Sequence, residues 1–296
     1  VALVKTTDRA DGVRRALALS GALDVAGKNI FLKPNFNSAD PAPGSTHPDV
    51  LRALVQSLQE GKAGRIVVGD RSGMGNTRTV MERVGAFDLA RELQFEAIVL
   101  DELPSEAWQH FNPPGSHWQR GFALPKPLLE ADVVVQTCCL KTHRFGGHFT
   151  LALKNSVGLA AKSVPGEGYN YMGELHSSPH QRRMIAEINA AYTQSLIVLD
   201  GVEAFRSGGP DRGDLVAANV VLAGSDPVAI DAVGVALLRL LGTTEAVSSG
   251  PVFAQEQLAR AVELGLGVTG PEAIEIVTAD GDSAAYAAEV EEVLRA

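Results

Sequence analysis

An α/β fold with a mostly parallel, doubly wound, Rossmann-like sheet is predicted by three features of this 296-residue chain. Short apolar runs rich in Val and Ile alternate with longer stretches of helical period. Proline opens three of those stretches, at Pro48, Pro179 and Pro227, in the turn where a helix tolerates it. No segment repeats at a fixed period, which sets aside solenoids and propellers. The length admits one α/β region over 1–296, or two lobes that divide near 160–195 with the site between them.

The elements follow in order. The chain opens on a strand at 2–4 and a helix at 12–22, not on a signal peptide. Strand 30–33 leads to helix 48–60, strand 65–69 to helix 79–93, and strand 97–100 follows. The run VVVQT at 133–137 is apolar enough for a strand buried on both faces. Helix 179–192 comes next, with Ser178 placed to cap it, then strands 196–199 and 219–222. Asp226 and Pro227 supply the cap and first turn of helix 227–241. Helix 254–264, strand 274–278 and helix 284–294 complete the pattern. Two stretches, 101–125 and 162–178, break the rhythm. They are rich in Pro, Gly, Trp, Tyr and His, and read as walls or lids over a site.

Composition narrows the function. A net charge of −9 excludes binding to nucleic acid through a basic surface. No apolar run reaches the roughly 20 residues that span a bilayer, so no membrane partner is expected and the cytoplasm is the expected compartment. Cys138 and Cys139 are adjacent, with no Cys-x-x-Cys pair. They are expected to be small buried residues, too few to hold an iron–sulfur cluster alone.

Ligands of open parallel sheets bind beyond the carboxyl ends of the strands. Polar residues follow five predicted strands here: Lys33-Pro34-Asn35, Asp70-Arg71-Ser72-Gly73, Asp101-Glu102, Lys141-Thr142-His143 and Asp200-Gly201-Val202-Glu203. Together with Asn155, this edge offers Lys33, Asn35, Asp70, Ser72, Gly73, Lys141, Thr142 and Asp200 for a small anionic ligand. Six of the seven histidines lie between 110 and 180. Because imidazole titrates near neutral pH, His143, His176 and His180 are candidates for proton transfer. His143 and His148 are the candidate metal ligands, although no His-Glu-x-x-His spacing supports them. Lys154 sits in LALKNSVGLAA, where an ammonium must find an anion or lose its proton. It is a candidate anion anchor, or a nucleophile that carries a cofactor covalently.

The combination of Lys33-Pro34-Asn35, Thr46-His47-Pro48, Gly69-Asp70-Arg71-Ser72-Gly73, Leu140-Lys141-Thr142-His143, Leu153-Lys154-Asn155, Gly208-Gly209-Pro210 and Gly224-Ser225-Asp226-Pro227 resembles domain-of-unknown-function family 362. Members of this prokaryotic family are sometimes fused to ferredoxin-type iron–sulfur modules, which implies a redox protein as partner; this chain has no such cysteine-rich module. A second resemblance is to the nickel-pincer lactate racemase family, through the order strand, His143, Lys154, Gly158 and a downstream histidine. It implies a transition metal, nickel or another, or a lysine-linked cofactor. Lys154 would be the anchor, His143 or His148 a metal ligand or base, and His176 or His180 a proton shuttle. Leu151-Ala152-Leu153 stand where those racemases have glycines. The expected function is therefore an enzyme that binds a small anion and uses histidine acid/base chemistry. An isomerase- or racemase-like reaction, dependent on a metal or pincer cofactor, is the one the second resemblance implies. The alternative is a non-catalytic metal- or anion-binding protein, or a redox-partner protein related to iron–sulfur modules.

Overall fold

Side-chain alternation sets which face each strand buries. The computed structural model describes residues 1–296. Its strands are β1 (Ala2–Lys5), β2 (Ile30–Lys33), β3 (Ile66–Asp70), β4 (Glu96–Val99), β5 (Trp108–Phe111), β6 (Phe122–Pro125), β7 (Val133–His143), β8 (His148–Thr150), β9 (Leu196–Gly208) and β10 (Gly213–Gly224). Ile30 and Leu32 join a core with helices Arg9–Ser20 and Pro48–Glu60, while Phe31 between them joins a different core. Val133 and Val135 divide from Val134 in the same way. Period-two alternation on a strand buried on both faces produces this split, and it explains the near-continuous Val and Ile runs.

The main sheet runs β1-β10-β9-β7-β2-β3-β4, with β8 paired to β7. From β9 to β4 every neighbour is parallel, whereas β10 and β1 join antiparallel. Helices cover both faces. Helices Pro227–Leu240 and Gly281–Arg295 share a core with Leu3, Leu140, Leu199 and Leu222. Beside it, helices Tyr171–Ser177 and Gln181–Ile188 pack with the β5–β6 hairpin. The architecture is the expected α/β one. Across residues 160–195 the sheet is continuous, because β9 pairs with β7.

Several expected bounds shift for identifiable reasons. β7 does not end at Thr137 but runs on to His143, all eleven residues buried. Lys141 tolerates this because its ammonium reaches Asn35 Oδ1 at 2.8 Å and the Gly44 carbonyl at 2.6 Å. β9 and β10 form a long hairpin rather than two short strands. The 79–93 helix divides into Thr77–Arg83 and Ala86–Leu93, with Gly85 between them at φ +75°. Pro179 lies outside its helix, which begins at Gln181. Residues 274–278 make a single bridge, Ala2 to Val277, instead of a strand. No helix is long and apolar enough to cross a membrane.

Candidate functional site

β2, β3 and β7 bring their carboxyl ends together. Lys33 closes β2 opposite Gln136 of β7, and Asp70 closes β3. Lys33 Nζ lies 2.7 Å from Asp70 Oδ1, and both side chains are only 2% exposed. The same ammonium donates to the Pro34 carbonyl and to Asn155 Oδ1, so its three hydrogens are all engaged. Asp70 also accepts the N–H groups of Phe36 and Arg71, each at 2.6 Å. A Cβ at position 158 would stand 2.7 Å from Asp70 Oδ1 and 2.8 Å from Lys33 Nζ, which explains the glycine.

Asn155 joins this pair to β7. Its Nδ2 donates to Gln136 Oε1 at 2.9 Å and to the Thr137 carbonyl at 3.1 Å, and its Oδ1 accepts from Asn35 Nδ2 at 3.1 Å. Asn35 in turn holds Lys141. Arg71 is buried without a carboxylate partner. Its guanidinium donates to the carbonyls of Val157 and, at 3.0 Å, Ala160, and reaches Met172 Sδ.

Lys154 differs from all of these. It rides on the short helix Ala152–Asn155, whose first N–H groups are accepted by Asp231 from helix Pro227–Leu240, at 2.7 Å from Ala152. Burial pushes the Asp231 carboxyl up to about 8. The Lys154 side chain is 8% exposed and makes no hydrogen bond or ion pair. Burial first, then repulsion from Lys141 and Arg71, brings its pKa down to about 7.

His143 stands beside it. The backbone at Gly147 touches both, since a Cβ there would lie 2.6 Å from Lys154 Cε and 2.9 Å from His143 Nδ1. Burial, followed by the charges of Lys154 and Lys141, drives the His143 pKa far below its ordinary value, so the ring is neutral. Its Nδ1 is buried without a partner, as are Asn37 Nδ2 and Thr150 Oγ1. Lys154 and these three residues line one cavity of about 810 Å³. Buried polar groups are normally satisfied, so several orphans in the wall of one cavity set this edge apart as the candidate site.

On the rim, the exposed His176 has its Nδ1 2.7 Å from the Met172 carbonyl, which sets the Nδ1–H tautomer and leaves Nε2 as the acceptor. Burial, partly offset by that carbonyl, lowers its pKa.

The predicted residues thus divide. Lys33, Asn35, Asp70, Gly73, His143, Lys154, Asn155 and His176 line the cavity, and Lys141 lies beneath them. Ser72 is buried behind the wall, with its N–H on Thr77 Oγ1 at 3.0 Å. Thr142 turns away and donates to the Phe205 carbonyl. Asp200 belongs to a separate cluster, 2.9 Å from Arg9, which also binds Glu203. His148, at φ +62° in the β7–β8 turn, lies off the cavity with Gln255 and Glu256 as neighbours. His180 packs on His117, ring centroids 4.6 Å apart, in a second cleft. No three His, Cys, Asp or Glu side chains converge as a metal-ligand set. Both cysteines are buried, and burial raises their pKa, Cys139 to about 12. Arg71 lies in the run after β3 already singled out in the sequence, and Asn37 stands two residues past Lys33-Pro34-Asn35; nothing local marks Thr150, which reaches the wall through the β7–β8 pairing.

Fold and site together define an α/β protein with a buried, cation-rich cavity at the carboxyl edge of a parallel sheet. The chain belongs to the family Domain of unknown function (DUF362), whose model matches residues 30–236. Among curated proteins it is similar to the thylakoid-associated protein sll1697 of Synechocystis sp., 28% identical over 223 residues. That match covers 72% of this chain and 64% of the relative, so the chain spans just under two thirds of that protein's length. Among solved structures it is similar to the lactate racemase apoprotein of Thermoanaerobacterium thermosaccharolyticum. The identity is 18% and the TM-score 0.47, covering 76% of this chain and 54% of the other. At that distance the likeness carries no functional weight.

Proposed function

We propose that the protein is an enzyme that binds a small oxyanion, a carboxylate or a phosphate, in this cavity and moves a proton on it. The observation that carries the reading is the state of Lys154: buried, cationic when protonated, and without a partner, while the neighbouring Lys33 has every hydrogen engaged. An arriving oxyanion supplies the missing partner and restores the Lys154 proton, because an opposite charge favours the ammonium. Asn37 and Thr150 line the same cavity, each with a buried polar atom that has no partner in the protein. Arg71 in the cavity wall and Lys141 beneath it contribute positive charge.

His143 is the proton acceptor in this reading. Its ring is neutral and lines the cavity, and a bound anion offsets the cations that depress its basicity. His176 Nε2 at the rim is a second proton-carrying position. A resident metal held by the protein alone fits poorly, since no ligand set converges and the nearby charges are cations. Lys154 does fit as the attachment point of a lysine-linked cofactor, its amine being about half deprotonated near pH 7 and in the lining of the cavity; such a group would supply its own electronic chemistry at that point.

The test is hydrogen–deuterium exchange at carbon, followed by NMR on a panel of short carboxylic acids and phosphate esters in D2O. Exchange by the wild type that is lost in His143→Ala and Lys154→Met is expected. Binding of no panel member, or exchange that survives both substitutions, overturns the reading. The deep depression of His143 basicity favours a second one, a binding protein without turnover; saturable uptake dependent on Lys154 with no exchange selects it.

A further inference from the structure

The cavity has a buried polar floor and two exposed apolar side chains among the polar residues of its mouth. Lys154, His143 and Thr150, all buried, lie at the floor. Phe145 and Met74 also line the cavity, yet they are 49% and 37% exposed. Only five large hydrophobic side chains are exposed on the whole chain, and two of them border this one opening. They arrive on separate loops, Met74 after β3 and Phe145 between β7 and β8, so their place on one cavity is a product of the fold.

Phe145 is also held in place. The Arg144 guanidinium stacks 4.4 Å from its ring centroid, and the ring meets His143 edge-on at 5.8 Å. An aromatic side chain fixed against the neutral imidazole and still half exposed offers a ready-made apolar surface. Met172 adds a buried, adaptable thioether to the same wall. The volume agrees. At about 810 Å³ the space matches cavities of roughly 300–1,000 Å³ that enclose drug-sized ligands, and acetate or inorganic phosphate would leave most of it empty.

We infer that the substrate class is an oxyanion carried on a flat apolar or aromatic body, its charged end at Lys154 and its body against Phe145 and Met74. The inference rests on the proposed oxyanion site and adds the part of the ligand that the floor does not explain.

Isothermal titration calorimetry with acetate, benzoate, 2-naphthoate, inorganic phosphate and phenyl phosphate tests it on the full chain. Wild type should bind 2-naphthoate at least about tenfold tighter than acetate, as burial of one ring face at about 25 cal/mol per Å² predicts. Phenyl phosphate should likewise exceed phosphate, and the stronger of the two aryl series identifies the oxyanion. In Phe145→Ala combined with Met74→Ala the aryl-to-bare ratio should fall towards one. Leu215→Ala, which removes another exposed hydrophobic side chain away from the cavity, should keep it. Equal affinity for aryl and bare anions in the wild type, or a ratio that survives the double substitution, overturns the inference and leaves the oxyanion site standing. Failure of every anion to bind overturns both.

Discussion

Two clusters of buried charge follow apolar strand segments in this molecule, and they behave differently. Around β9, Asp200 is closed by Arg9, which also holds Glu203, and Val202 N–H donates to the same carboxylate. Around β2, β3 and β7, Lys33 and Asp70 are just as closed, but Lys154, Asn37, Thr150 and His143 keep polar atoms without partners. Both clusters look alike in sequence, as charged residues after an apolar run. The difference teaches that a polar strand end becomes a binding site only where the protein leaves its own groups unsatisfied around a cavity. Where they are mutually satisfied they serve the fold.

Three substitutions sharpen that contrast. The largest effect is expected at the closed pair in the cavity wall: Asp70→Asn leaves Lys33 buried without its counter-charge. Stability to urea unfolding should fall by about 3–5 kcal/mol, the usual result of breaking a buried pair from one side. A loss below about 1 kcal/mol would show that Lys33 has no need of the carboxylate. A smaller effect is expected at the other cluster. Arg9 is 12% exposed and keeps Glu203, so Asp200→Asn should lose roughly 1–2 kcal/mol and leave oxyanion affinity unchanged. A large fall in affinity there would erase the distinction between the two clusters.

The open group should respond with the opposite sign. Lys154→Met removes a desolvated cation without stranding a partner, so stability at pH 6 should rise by about 1 kcal/mol while oxyanion binding is lost. The pH dependence isolates the cause. Between about 7 in the folded chain and the ordinary lysine value of 10.5, the unfolded chain binds more protons at this position. The destabilisation by Lys154 is therefore fully present below pH 7 and is relieved as the pH rises through that window. The advantage of Lys154→Met should shrink over the same range, measured as the difference between the two unfolding curves. A constant difference from pH 6 to pH 10 would mean that Lys154 titrates normally. Oxyanion affinity of the wild type should weaken above pH 7 for the same reason, because the bound form requires the ammonium.

Much of this was legible before any coordinates. The Val and Ile runs of β2, β3 and β7 report burial on both faces, and buried parallel strands direct attention to their carboxyl ends, where Lys33, Asp70 and His143 stand. Lys154 announces itself by its apolar flanks. The extent of β7 was not legible, because Lys141, Thr142 and His143 read as the end of a strand until Asn35, Gly44 and Phe205 are brought to satisfy the first two. Nor was the parting of His143 from His148, adjacent in the hairpin register yet on different sides of the cavity wall.

By itself, then, the sequence determined the fold class, the family and the edge of the sheet where the cavity lies, since each depends on local periodicity or short motifs. The tertiary structure alone decided which polar groups are satisfied. Hydrogen-bond satisfaction of a buried side chain depends on partners tens to hundreds of residues away, as in Asp231 accepting the N–H of Ala152 or Asn35 holding Lys141. The open state of Lys154 is a property of that long-range accounting, and no local run of residues contains it.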